Sequence, residues 1–253
     1  MQAFYNSIDQ QCERLGGACR AILVGANDTS YSVWRTAAES QGVFLQTVSE
    51  PSEADSLLRS DSVTFIISPI RWFTDAASMN WACRWLHQLP IVVIGGNAIE
   101  ASLWRQLAWD AVAPEELSRA AETVVEMARD EAFRRARQRR VEALYYERIA
   151  AFSPEEAQVF TAVCSGRLNK QIASDLKVSV RTIEQRRRRV FEKMGVDSAV
   201  PLSALAATVQ TLAEQNRVCQ RVAIQLAPAS IPEPKTFPRI TSPDVSKRPV
   251  YSM

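Results

Sequence analysis

The sequence predicts an α/β plus all-α chain: a doubly wound domain on a five-stranded parallel sheet, then a long linker helix, then a C-terminal module of four helices. Three observations lead there. Short apolar runs alternate with helical stretches across residues 20–127. Residues 128–150 are rich in Arg, Glu and Ala and contain neither Gly nor Pro. Residues 152–196 hold three short helix signals in a row, the last with four consecutive arginines. The expected divisions are an N-terminal extension at 1–19, the α/β domain at 20–127, the linker helix at 128–150, the helical module at 151–217 and a Pro-rich, disordered tail at 218–253.

In the first domain the runs AILVG at 21–25, VFLQTV at 43–48, VTFIIS at 63–68, PIVVIG at 90–95 and a weak DAV at 110–112 read as strands. Helices are expected near Ser30–Ser40, Glu53–Arg59, Ala76–His87 and Ile99–Leu107. Runs that stay apolar, rather than alternating with polar residues, suit a parallel sheet covered on both faces. Five such repeats in about 110 residues make a compact doubly wound domain.

Bulk properties narrow the function. With 253 residues, 47% hydrophobic and 23% charged, the chain is an ordinary globular one. No apolar run has the length of a membrane span, and Met1 to Leu15 lacks a signal-peptide plan, so a cytoplasmic location and no membrane partner are expected. Cys12, Cys19, Cys83, Cys164 and Cys219 show no C-x-x-C spacing, which indicates neither a disulfide framework nor a metal site. The only histidine, His87, reads as a helix C-terminal residue rather than a catalytic base. With no acid–base constellation, an enzyme is not expected, and no cofactor is implied. All six tryptophans (34, 72, 81, 85, 104 and 109) fall in the α/β part, where core packing is the expected role. Several exposed ones would instead mark a partner surface.

Charge is uneven although the net is only +2. Residues 1–130 hold 9 basic against 16 acidic side chains, and residues 131–195 hold 15 against 8. The basic block covers the helical module and the segment leading to it, as a phosphate-binding footprint would.

Within that module Ser153, Pro154 and Glu156 make an S-x-x-E capping box with proline at the first helical position. Val159, Phe160 and Val163 give the helix an apolar face, and Gly166 stops it. Asn169 is expected to cap a second helix burying Ile172, Ala173 and Leu176, and Ser179 a third burying Ile183, Val190 and Met194 before Gly195. Arg181, Gln185 and Arg188 then face outward, flanked by Arg186 and Arg189. A solvated charge run is the bland alternative for four arginines. Three capped helices in succession favour a helix-turn-helix, with one face fixed by the core and the other free to enter a major groove.

These residues resemble the LuxR-type helix-turn-helix. The segments FSPEEAQVF, NKQIASDL, SVRTI and FEKMGV match, with matching spacing, the family run L-T-x-R-E-x-x-V-L, N-K-x-I-A-x-x-L, S-x-x-T-V and M-x-K-M-G-V. Departures are Glu155 where arginine is common, and Glu184 and Gln185 where a basic and an apolar residue often contact bases. The reading makes double-stranded DNA a partner. Lys170, Arg181, Thr182, Glu184, Gln185, Arg186, Arg187, Arg188, Arg189 and Lys193 are the expected interface residues. Lys170, Arg181, Arg186, Arg187 and Arg189 are expected mainly on phosphate, and Glu184, Gln185 and Arg188 on base edges. In the LuxR-type fold a fourth helix pairs subunits, which implies a homodimer, with Leu202, Leu205, Val209 and Leu212 shared between core and dimer contact.

The layout before this module resembles the receiver domain of FixJ-like transcription factors, but its chemistry is missing. Gly25 and Ala26 stand where a receiver holds an acidic pair, and Ser68 where it holds the phosphate-accepting aspartate. Gly95 replaces the hydroxyl residue, and Ala113 the lysine. Phosphoryl transfer to a carboxylate needs that nucleophile, a divalent cation and charge stabilisation together. The domain is therefore expected to be a pseudo-receiver. Dimerisation, binding of another regulator protein, or binding of a small ligand at the vacated switch point are its expected roles, in that order. The leading reading is a dimeric, sequence-specific transcriptional regulator that works without phosphorylation. A scaffold that sequesters or bridges another regulator is the alternative, and a ligand sensor the third.

Overall fold

The computed structural model describes residues 19–25, 30–58, 63–73, 76–86, 88–96, 101, 104–105 and 108–226. Two compact units divide them, one built on residues 19–139 together with 212–226 and the other on Arg140–Thr211. The N-terminal extension, Ala26, Asp28, His87 and the Pro-rich tail beyond residue 226 lie outside the described residues, as does most of the helix expected at Ile99–Leu107.

Five strands form the first unit: β1 (Cys19–Val24), β2 (Val43–Val48), β3 (Val63–Pro69), β4 (Ile91–Ile94) and β5 (Asp110–Val112). They pair in the order β2-β1-β3-β4-β5, all parallel, with Ile22 opposite both Gln46 and Ile66. The continuous apolar runs have the cause expected of them, since β3 and β4 are buried on both faces. On one face Leu23, Phe65, Ile67 and Val92 pack with Trp34, Ala37 and Ala38 of α1 (Ser30–Ser40) and Val124, Val125 and Ala128 of α4 (Leu117–Ala150). On the other, Ile22, Val24, Ile66 and Val93 pack with Ala54 and Leu58 of α2 (Pro51–Leu58) and Trp81, Ala82 and Trp85 of α3 (Ala76–Trp85).

A polar contact joins the last two helices. Asp55 Oδ1 accepts from both Trp81 Nε1 (2.9 Å) and Trp85 Nε1 (3.1 Å), and its second oxygen lies 3.5 Å from Arg84. The i, i+4 spacing of the two tryptophans brings both indole N–H groups to one acceptor. Trp34, Trp81 and Trp85 are buried, and Trp72, Trp104 and Trp109 are half-buried. None of the six is exposed, in keeping with the core role expected of them.

The linker expected at 128–150 is the second part of a single 34-residue helix, α4. Ala132, Phe133 and Ala136 of this part pack into the α/β core. Arg135 donates to the carbonyls of Leu86 (2.9 Å) and Leu89 (2.8 Å), Arg139 donates to that of Gln88, and Arg134 pairs with Glu131 at 2.6 Å. Arg135 and Arg139 of the basic block thus fasten α4 to the chain following α3. They are not a reserve of phosphate ligands.

The second unit holds the end of α4, then α5 (Pro154–Cys164), α6 (Asn169–Asp175), α7 (Val180–Met194) and the start of α8 (Ala199–Leu226). The architecture is the α/β plus all-α one read from the sequence. Asp55→Ala removes the acceptor of two buried indole N–H groups and should destabilise the α/β unit by about 1–3 kcal/mol in urea unfolding followed by tryptophan fluorescence. Asp55→Asn, which keeps one carbonyl oxygen there, should recover most of that loss.

Candidate nucleic-acid interface

The helical unit is assembled from its caps inward. Ser153 accepts from the Glu156 N–H at 3.3 Å while the Glu156 carboxylate accepts from the Ser153 N–H at 2.9 Å, so the capping box is complete. Ser179 caps α7 by accepting from Thr182 N at 3.1 Å, and its hydroxyl also meets that of Thr182 at 2.8 Å. Gly195 ends α7 in the left-handed region at φ 63°. The expected cap at Asn169 is not there. Leu168 is the cap residue, its N–H bound by Gln171 Oε1 at 2.9 Å, and Asn169 is already helical.

Asn169 has another use, which bears on the arginine run. Its Oδ1 accepts from Arg187 Nη1 at 2.6 Å, and the same guanidinium lies 5.3 Å over the Phe191 ring. Arg187, expected on phosphate, therefore cross-links α6 to α7. Lys193 is likewise occupied, donating to Glu156 Oε2 at 2.6 Å and to the Ala151 carbonyl at 2.9 Å. Arg148 of α4 donates to the Met194 carbonyl at 2.6 Å, so a guanidinium meets the negative end of α7. Burial pulls the Arg148 guanidinium below its ordinary value. Sequence reasoning missed this contact, because no local spacing links residue 148 to residue 194.

With Ile183, Val190 and Met194 fully buried, the opposite side of α7 is set. Arg181, Glu184, Gln185, Arg188 and Arg189 are exposed there, together with Lys170 of α6. Arg186 and Thr182 are half-buried on the flanks. Glu192, absent from the expected set, sits in the middle of this face. Its Oε1 accepts from Arg188 Nε at 2.8 Å, and the i, i+4 spacing could have signalled the pair. A cavity of about 320 Å³ lies beside these residues, lined by Asn169, Glu184, Arg188, Phe191, Glu192 and Val196 among others.

Leu202, Leu205 and Val209 of α8, expected as dimer contacts, are fully buried within the chain, and Leu212 is half-buried. The exposed residues of this part of α8 are Val200, at 79% exposure, with Ala204, Ala207, Thr208, Gln210 and Thr211. Helical periodicity identified a buried face here, and only packing shows that it is already covered.

At the carboxyl end of the sheet lie the four small residues expected at receiver positions. Gly25 has φ 73°, and a Cβ added to it would land on Trp72 Nε1. Gly95 has φ 103° with Ile70 packed against it. Ser68 and Ala113 are buried, and Ser68 Oγ has no hydrogen-bond partner. Among the described residues no group of three or more His, Cys, Asp or Glu side chains is placed to hold a metal. Cys164 is half-buried, and desolvation raises its thiol to about 11, in keeping with a packing role.

Comparison with known proteins agrees with this geometry. Residues 150–206 match the family described as bacterial regulatory proteins, luxR family. These residues form a LuxR-type helix-turn-helix. A 55-residue stretch is 42% identical to the response regulator Rre1 of Synechocystis sp., and the chain spans only 24% of that relative's length. The low-resolution structure of the response regulator StyR superposes with TM-score 0.54 at 20% identity over 74% of this chain and 98% of that one, a likeness of fold. Full-length FixJ from B. japonicum aligns over 76% of this chain and 97% of that one, with TM-score 0.38 and 23% identity. The LuxR-type module thus follows a receiver-like α/β domain, in a chain whose described helices include none long and apolar enough to cross a membrane.

Lys193, followed by the Ser153 N–H, holds the Glu156 carboxyl below its ordinary value of 4.5. A carboxylate depressed in the folded state contributes stability above that value and loses it as the pH falls through the folded one. The helical unit should therefore lose stability in that acid range, seen as a far-ultraviolet circular dichroism transition without tryptophan signal, because all tryptophans lie in the other unit. Glu156→Gln should flatten this dependence and lower stability at neutral pH.

Proposed function

We propose that the chain is a dimeric, sequence-specific DNA-binding transcriptional regulator whose receiver-like domain acts without phosphorylation. One observation carries the reading. The third helix of a LuxR-type module turns Arg181, Gln185, Arg188 and Arg189 to solvent while its other side is held by the core and by three internal donors, Arg148, Arg187 and Lys193. A helix so oriented can enter the major groove, with guanidinium groups meeting phosphates and guanine edges. Arg181, Arg189, Arg186 and Lys170 are the phosphate ligands in this reading, and Arg188, Gln185 and Glu184 read bases.

Independence from phosphorylation is supported by the filled carboxyl end of the sheet. Trp72 and Ile70 stand against Gly25 and Gly95, and neither Gly25, Ser68, Gly95 nor Ala113 can hold a divalent cation and a nucleophilic carboxylate. Dimerisation is assigned to the exposed residues of α8, with Val200, Ala204, Ala207 and Thr211 in place of the buried leucines.

In fluorescence anisotropy the full-length protein should bind duplex DNA with an affinity that falls steeply with salt. Arg189→Ala should weaken all sequences alike and reduce the salt slope by about one, whereas Arg188→Ala should cost about 1–3 kcal/mol and relax preference at one position. Salt-insensitive or undetectable binding to any duplex would rule the reading out. Acetyl phosphate with magnesium should leave the intact mass unchanged, and a stoichiometric phosphoryl adduct would remove the phosphorylation-independent part. Val200→Asp should shift sedimentation from dimer to monomer, while an unchanged dimer would place the contact elsewhere.

A further inference from the structure

Glu192 poses a problem for a surface that meets phosphate. It lies at the centre of the exposed face of α7, 60% exposed, and its carboxylate is bound to Arg188, itself 82% exposed. Helix stability does not account for it. An arginine N-terminal to a glutamate at i, i+4 is the weaker order for such a pair, and the last turn of a helix disfavours an anion. As one more charge facing the duplex it would repel the backbone and cancel an arginine. What the contact does accomplish is geometric. Only Nε of Arg188 is used, at 2.8 Å, which leaves the two terminal nitrogens as a fork of donors held at one angle. That fork fits the O6 and N7 acceptors of guanine.

We infer that Glu192 is a positioning residue that sets base specificity: it holds Arg188 by Nε, directs the two terminal nitrogens to a single guanine, and keeps that guanidinium off phosphate. The inference rests on the DNA-binding reading above and names the base that this side chain takes. The carboxylate lowers general affinity and raises discrimination, because an arginine tethered at one nitrogen reaches fewer backbone oxygens. Glu184, four residues before Arg188 on the same side, lines the same cavity and adds a second acceptor that excludes phosphate from this part of the face.

The test is a double-mutant cycle on the full-length protein, read by binding-site selection and by affinity for the selected and a scrambled duplex. Glu192→Ala should bind the scrambled duplex about threefold or more tighter and lose about tenfold in preference for guanine at one position. Arg188→Ala should lose preference at that same position, and the double variant should lose no more than Arg188→Ala alone. Glu192→Gln, which keeps an acceptor oxygen without the charge, should restore most of the guanine preference but not the weak general binding. All variants should melt with the wild type, since both side chains are exposed. Unchanged base preference in Glu192→Ala, or additive losses in the double variant, would overturn the inference while leaving DNA binding intact. A wild-type protein that binds no duplex overturns both.

Discussion

One buried carboxylate, Glu156, closes the helical unit. It caps the start of α5 through the Ser153 N–H and takes the Lys193 ammonium from the last turn of α7. A single side chain thus joins the first helix of the module to the end of the third, and an unpaired charge in that place would be costly. With Lys193 anchored, and Arg148 meeting the Met194 carbonyl, the carboxyl end of α7 has two cations on it. Asn169 and Arg187 fasten its middle to α6. The rotation of α7 about its own axis, which decides what a duplex would meet, follows from these contacts and from the burial of Ile183, Val190 and Met194.

That arrangement divides a basic segment by role. Arg135 and Arg139 hold α4 to the carbonyls of Leu86, Gln88 and Leu89, Arg148 and Lys193 fix α7, and Arg187 bridges two helices. Arg181, Arg188 and Arg189 are the exposed remainder of α7. The excess positive charge of residues 131–195 therefore overstates the cations available to a polyanion. A protein can spend long side chains on backbone carbonyls because an arginine offers five donors on a planar group.

The α/β unit shows the same economy at the carboxyl end of its sheet. Gly25, Ser68, Gly95 and Ala113 stand there, and Trp72 and Ile70 occupy the space against the two glycines. Glycine at φ 73° with an indole against it leaves no room for a side chain at position 25. The domain keeps the sheet and both packed faces, which rest on apolar residues unrelated to that chemistry.

Local pattern determined a good deal. The five strands, the helices at Ser30–Ser40 and Ala76–Trp85, the caps at Ser153 and Ser179 and the stop at Gly195 were legible because each depends on neighbours a few residues away: apolar runs, a capping hydroxyl, a glycine able to reach positive φ. The inward set of α7 was legible for the same reason. What the sequence could not assign was the partner of each long side chain. Asn169 looked like a cap and is a ligand for Arg187, and Leu202, Leu205 and Val209, read as part core and part dimer contact, are wholly buried. Periodicity tells which residues share a side of a helix. Only the packed chain decides whether that side is already covered, because Arg148 and Met194, or Glu156 and Lys193, meet across dozens of residues through the placement of whole helices.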